Sequence, residues 1–248
     1  MSNLILDFNN TYNKNDPYFK DFTYLDMHDI DGTDLFCSRL AERRIKDRIY
    51  KYSINGIHFI DNGNYHYMTR FFIQKIPEPF DLIVFDHHTD MQASTIPGLL
   101  SCGNWLKLVL LDHPFLHKVI LIGPEHKAFT KIGHEDRLIS ISYEDIKASR
   151  LPEYNEYYPI YISIDKDILS EAYAITNWNQ GDLSLNTLMA MLKKLILHHK
   201  VFGLDLCGAA DPTLELPDLL KAEEVNEETD DILLHFLKKM SEKHPLNV

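Results

Sequence analysis

The sequence predicts an α/β fold, with a mostly parallel sheet and helices on both of its faces. Three observations carry this: short β-rich runs recur along the chain, segments with apolar residues at helical spacing separate them, and acidic motifs stand directly after two of the runs. The runs are residues 4–6, 57–60, 82–85, 118–122, 138–141, 160–164 and 201–206. Strands that alternate with helices pair in parallel, and each connection crosses over in a right-handed sense. After the second run, Tyr65, Tyr67, Phe71 and Phe72 fall on a helix face, while His58, inside that run rather than at its end, reads as a core histidine. Leu185, Leu188, Met189, Met191, Leu192, Leu195 and Ile196 mark a helix opened by Ser184 as N-cap. A last helix is expected over residues 228–243, and the charged stretch 221–231 reads as a solvated loop and helix start. Pro77, Pro79 and Pro97 punctuate loops.

The 248 residues, 45% of them hydrophobic, suffice for one sizeable core, and no stretch rich in Gly, Ser or Pro divides them. Residues 1–248 therefore read as a single domain. No run approaches the roughly 20 apolar residues of a membrane span. The opening residues lack the basic start and long apolar core of a signal peptide, which points to the cytoplasm. Cys37, Cys102 and Cys207 are too few and too scattered for a disulfide framework or a thiolate zinc site, so reduced, buried thiols are expected. The net charge of -12, from 25 basic and 37 acidic residues, disfavours nucleic acid and anionic membranes as partners.

The chemistry concentrates where strands end. Asp86-His87-His88-Thr89-Asp90 follows Leu82-Ile83-Val84-Phe85, and Asp165-Lys166-Asp167 follows Tyr161-Ile162-Ser163-Ile164. Functional groups of parallel sheets gather outside the carboxyl ends of the strands. In extended backbone, side chains two residues apart share a face, which groups Asp86, His88 and Asp90 as one set and Asp165 with Asp167 as another. Four carboxylates in one pocket repel each other, and a pair of divalent cations is the simplest device that neutralises them. By the same alternation His87 and Lys166 point away from the pocket, Lys166 toward another acid.

These motifs resemble the ureohydrolase family, which includes arginase, agmatinase and formiminoglutamase. Asp86-His87-His88-Thr89-Asp90 is similar to that family's Asp-Ala-His-x-Asp, and Ser163-Ile164-Asp165-Lys166-Asp167 to its Ser-Phe-Asp-x-Asp. Gly63-Asn64-Tyr65-His66 stands where the family has Gly-Gly-Asp-His. Gln180-Gly181-Asp182-Leu183-Ser184 resembles its Gly-Gly-Leu-Thr, and Gly203-Leu204-Asp205-Leu206 the start of its last motif strand.

The resemblance spans residues 57–212. It implies a three-layer α/β/α fold with a mostly parallel eight-stranded sheet, shared with the histone deacetylases. It further implies a hydrolase of C–N bonds in a small guanidino, amidine or amide compound, with two manganese ions as cofactors. His66, Asp86, Asp90 and Asp165 would hold one ion, and His88, Asp86, Asp165 and Asp167 the other, with Asp86 and Asp165 as bridges. Carboxylates with imidazole suit manganese. A hydroxide shared by the ions would attack the substrate carbon, with Asp90 orienting it. Gln92 and Asn104 occupy loop positions where family members contact substrate.

The chain also departs from the family. Ser101-Cys102-Gly103-Asn104 continues into Trp105-Leu106-Lys107, where active arginases place a proton-shuttling histidine, and Gly208 stands where a glutamate grips the guanidinium. Asp211 or Glu215 is the candidate substitute on that last loop. Free arginine is therefore not the expected substrate. Two further readings remain: a deacetylase-like amidohydrolase, against which the full ligand set argues, and a catalytically silent, metal-bound member with a binding or regulatory role. A homo-oligomer is compatible with each.

Overall fold

The computed structural model describes residues 2–14, 16–94, 96–132, 135–151 and 158–243. The chain opens with β1 (Leu4–Asp7), β2 (Thr23–Asp26), β3 (Phe36–Cys37) and α1 (Arg39–Ile49). Next come β4 (Ile57–Ile60), α2 (Met68–Ile73), β5 (Phe80–Phe85), β6 (Leu100–Ser101) and α3 (Trp105–Asp112). The second half holds β7 (Leu116–Ile122), α4 (His126–Ile132), β8 (Leu138–Ile141), α5 (Tyr143–Lys147), β9 (Ile160–Asp165), α6 (Leu185–His198), β10 (Val201–Cys207) and α7 (Leu216–Lys243).

Eight strands form one parallel sheet in the order β2-β1-β4-β10-β9-β5-β7-β8. Strand alternation splits the core in two. Leu82 and Val84 of β5 pack with Ala41 and Ile45 of α1, Phe71 and Phe72 of α2, and Val109 of α3. Ile83 and Phe85 face the other way, against Leu188 and Leu192 of α6 and Leu233 and Leu237 of α7. The result is the expected three-layer α/β/α sandwich. Among the described residues, no helix is long and apolar enough to cross a membrane.

The seven runs read from the sequence all lie in the sheet; the eighth strand, β2, was not among them. It sits at the edge and buries only Leu25, so its four residues lack an apolar signature. The last helix also differs from expectation, starting at Leu216 rather than 228. Its early turns face inward through Ala222, Asn226, Thr229 and Asp230, so the buried stripe is small and polar. Asn226 both accepts from the Ile175 N–H (2.8 Å) and donates to the Ile175 carbonyl (2.9 Å), while Thr229 donates to the Tyr173 carbonyl. The stretch 221–231 is thus a docked helix and not a solvated loop.

β3 and β6 make a small antiparallel pair, with Phe36 opposite Ser101 and Cys37 opposite Leu100. This pair anchors the turn that leads into α3 beside the site described next. The helix α6 begins as read, with the Ser184 hydroxyl accepting from the Thr187 N–H at 3.2 Å.

Candidate metal centre

β4, β10, β9 and β5 are consecutive in the sheet, and the groups of interest lie at or just beyond their carboxyl ends. Asp86 leaves β5 with its N–H still bonded to the Ile122 carbonyl of β7 (3.0 Å). The backbone then turns. The His88 N–H donates to Asp86 Oδ1 at 2.5 Å, and Asp90 adopts φ +48°, a left-handed conformation that aspartate tolerates better than most residues. Asp86, His88 and Asp90 therefore converge through a turn and not through extended alternation. Similarly, Asp165 ends β9 and caps a 3₁₀ turn (Lys166–Ile168), accepting from the Asp167 N–H at 3.0 Å. His66 closes another 3₁₀ turn, Gly63–Tyr65, capped by the Asn62 side chain. Gly63 has no room for a side chain: a Cβ there would stand 2.7 Å from Trp178 Cδ1 and 3.2 Å from Asp165 Oδ2.

All six expected ligands meet, in two sets. His66 Nδ1 lies 3.1 Å from Asp90 Oδ2, 3.3 Å from Asp86 Oδ2 and 3.5 Å from Asp165 Oδ2. In the second set, His88 Nδ1 lies 2.7 Å from Asp167 Oδ2 and 3.6 Å from Asp86 Oδ1. Ligand atoms that share one small divalent ion at about 2.0–2.2 Å stand roughly 3.0–3.5 Å apart, which is the spacing of the His66 set. Asp86 turns one oxygen to each set, the disposition of a bridging carboxylate. Asp165 turns Oδ2 to the His66 set, and its Oδ1 accepts from the Asp167 N–H just as Asp86 Oδ1 accepts from the His88 N–H.

Two buried atoms decide whether a cation fits. His66 Nδ1 and Asp86 Oδ2 are inaccessible to solvent and make no hydrogen bond, although they stand 3.3 Å apart among the carboxylates of the site. On its other side, His66 Nε2 lies 3.0 Å from Ser163 Oγ, and that hydroxyl donates to Asp205 Oδ1 at 2.6 Å. With the serine proton spent on Asp205, Nε2–H is the donor to Ser163, and the Nδ1 lone pair is left facing the carboxylates. The residues therefore fit a divalent cation.

Electrostatics point the same way. Burial alone would lower both histidines, but Asp86 and Asp90 carry His66 well above its ordinary value, and Asp167 and Asp86 carry His88 up to about 12. Burial would raise Asp86, yet the His66 and His88 imidazoles beside it hold it well below the usual carboxylate range. Burial, with the nearby Asp86 charge, pushes Asp90 up to about 6, and burial with Asp165 and Asp86 pushes Asp167 well up. Without metal, protons on imidazole do the neutralising that cations do better.

A cavity of about 30 Å³ lies over these groups, bounded also by Gly63, Gln92, Cys102, Gly103 and Trp178. Gln92 thus faces it. Asn104 does not: its amide is used within its own turn, accepting from the Ser101 N–H and donating to the Leu99 carbonyl, both at 2.9 Å. Asp211 accepts from the N–H and hydroxyl of Thr213 and does not line the cavity. Gly208 takes φ +94°, and a Cβ on it would come within 2.6 Å of Asp165 Oδ1, so no side chain can enter from that position. Lys166 points away from the cavity, as expected, and forms a buried pair with both oxygens of Asp230 at 2.8 Å. His58 is a core histidine, stacked on Phe72 with Nδ1 3.1 Å from the Tyr161 hydroxyl. The three cysteines are free of disulfides and buried.

Sequence reasoning assigned no role to four contributors. The Trp105 indole N–H donates to Asp90 Oδ2 at 2.6 Å, Ser163 and Asp205 back His66, and the Cys207 thiol donates to Asp165 Oδ2 at 3.0 Å. Only the position of Cys207 at the end of a run hinted at such a place.

Comparison with known proteins agrees with this fold. The arginase family profile matches residues 2–215. An uncharacterized protein of Thermotoga maritima is 33% identical over 172 residues, covering 69% of this chain and 65% of that protein. Among solved structures, a putative agmatinase from Clostridium difficile superposes with a TM-score of 0.64 at 14% identity, covering 96% of this chain and 95% of that one. Proclavaminate amidino hydrolase from Streptomyces clavuligerus gives 0.63 at 14% identity, with 95% and 91% covered. Formimidoylglutamase from Bacillus subtilis gives 0.54 at 19% identity over 76% of this chain and 61% of that one. The chain therefore spans less than two thirds of the Thermotoga relative and of the formimidoylglutamase. With a profile match over most of its length, this chain belongs to the arginase family.

Proposed function

We propose that this protein is a cytoplasmic, binuclear, manganese-dependent hydrolase that cleaves a C–N bond in a small guanidino, amidine or amide compound other than free arginine. The observation that carries the reading is the pair of buried, partnerless atoms, His66 Nδ1 and Asp86 Oδ2, set among six metal-capable side chains. Leaving such an atom unpaired costs about 1–3 kcal/mol, and a cation removes that cost. When bound, the ions acidify a water and polarise the carbon it attacks. The side chains do the rest. Asp86 spans the two sets, His66, Asp90 and Asp165 hold one side, and His88 and Asp167 hold the other. Asp90, fixed by the Trp105 indole, is placed to orient the attacking water and accept its proton.

The substrate side is a cleft of about 620 Å³ that opens past His88 and Asp90, with Gln92 and Asn179 on its wall. That volume suits a small molecule. Farther out, Lys107, Lys127 and Lys131 face Glu125 and Glu135, so the rim offers both signs of charge. Trp178 packs edge-on against His88. Nothing at Gly208 can grip a guanidinium, and losing one such electrostatic partner costs about 10² to 10³ in rate.

The test is a panel. Manganese-loaded protein is incubated with guanidino, formimino and amide compounds, and release of ammonia and urea is followed. Turnover of a compound other than arginine is expected, with little or no urea from arginine. Arginine cleavage at an ordinary turnover of roughly 1 to 10³ per second would contradict the substrate assignment. A metal-binding protein without turnover is the second reading, favoured by the absence of histidine from residues 101–107. It predicts two bound ions and no product from any compound.

A further inference from the structure

We propose that Cys207 is a metal ligand of this centre, so that the ion on the His66 side is held in part by a thiolate while the ion on the His88 side has only oxygen and nitrogen ligands. The inference rests on the binuclear reading above and adds a ligand to it.

The geometry starts from register. Cys207 ends β10 directly opposite Asp165, which ends β9, so the two side chains leave the sheet together. Cys207 Sγ lies 3.0 Å from Asp165 Oδ2, and that same oxygen lies 3.5 Å from His66 Nδ1. One ligand atom from each of His66, Asp165 and Cys207 falls within 4.8 Å of the others, inside the span of a single coordination sphere. Cys37 and Cys102, though also buried, enter no such group among the described residues.

A cysteine alone would carry nothing. Here a second observation points to a ligand: His66 Nδ1 is fully buried, lacks any hydrogen-bond partner and faces the same corner. The residue after the cysteine reinforces it, because any Cβ at Gly208 would press on Asp165 Oδ1 and drive the carboxylate from the thiol. On coordination the metal–sulfur bond replaces the S–H bond, and the proton leaves to water.

The consequence is selectivity. Thiolate favours softer ions such as zinc and cobalt, whereas carboxylate and imidazole suit manganese. The two sides of the centre therefore differ in preference, and the His66 side takes the softer ion.

The experiment uses the full chain, stripped of metal and reconstituted with Co²⁺ alone. A strong near-ultraviolet sulfur-to-cobalt charge-transfer band is expected, absent in Cys207→Ser and retained in Cys102→Ser. The serine hydroxyl keeps the hydrogen bond to Asp165, so a merely structural thiol would leave metal binding unchanged. Instead, zinc affinity should fall about 10- to 100-fold in Cys207→Ser, the range for losing a supporting group at a metal site, with manganese affected far less. Zinc-edge X-ray absorption on the wild-type protein needs no variant, and one sulfur neighbour at about 2.3 Å is expected. Two bound ions with only nitrogen and oxygen neighbours, or a cobalt band that survives Cys207→Ser, would overturn the inference and leave the binuclear reading standing. Failure to bind any ion would overturn both.

Discussion

Asp86 is the residue on which both halves of the proposed centre would depend, because each of its oxygens faces a different histidine. A bridge serves two cations and a terminal ligand one. Asp86→Ala should therefore lose both ions, whereas His66→Ala should keep the one on the His88 side; elemental analysis of the two variants distinguishes them, and full metal retention in Asp86→Ala would refute the bridge. His58 makes a separate prediction for the core. Burial lowers it to about 3, against an unfolded value near 6.5. Between those values the unfolded chain holds the extra proton, so the stabilising contribution is complete above pH 6.5 and is lost as the pH falls toward 3. The slope approaches about 1.4 kcal/mol per pH unit. In urea titrations across that window, His58→Gln should show a shallower acid loss than wild type, and an unchanged slope would contradict this. At this scale the sequence was legible where chemistry is local: Asp-x-His-x-Asp and Asp-x-Asp supplied five of the six side chains that the fold brings together as proposed ligands. Trp105 and the Ser163–Asp205 pair escaped because they meet His66 and Asp90 only across the fold, with no spacing in the chain to announce them.

Among the elements, α7 shows best why part of the fold was hidden. The inward stripe of its early turns is Ala222, Asn226, Thr229 and Asp230, which satisfies the 173–175 loop and Lys166 by hydrogen bonds and carries no apolar periodicity, unlike the later turns with buried Leu233, Leu237 and Met240. Likewise β2 buries a single leucine at the sheet edge. Elements that bury apolar faces, such as α6 and the central strands, were readable because burial writes itself into periodicity. The Lys166–Asp230 pair ties α7 to the turn carrying Asp165 and Asp167. Removing one partner leaves a buried charge uncompensated, so Lys166→Met should cost about 3–5 kcal/mol, while Lys166→Met with Asp230→Leu should recover most of it. Chemical denaturation of the three proteins checks this; a single variant as stable as wild type would show that the pair does not anchor the helix.

For the molecule as a whole, the sheet order positions the candidate site. It places β4, β10, β9 and β5 side by side, so that segments distant in sequence bring their carboxyl ends to one cavity. The alternation of strands and helices made the layered architecture legible, and the family motifs supplied the eight-strand count. The closing of the Gly208 position was not legible, because only the packed loop shows Asp165 filling the space. The most direct measurement is the metal content of the full chain after manganese reconstitution and removal of excess ion. About two ions per chain are expected from a centre of this kind, and a content of one or none would contradict it.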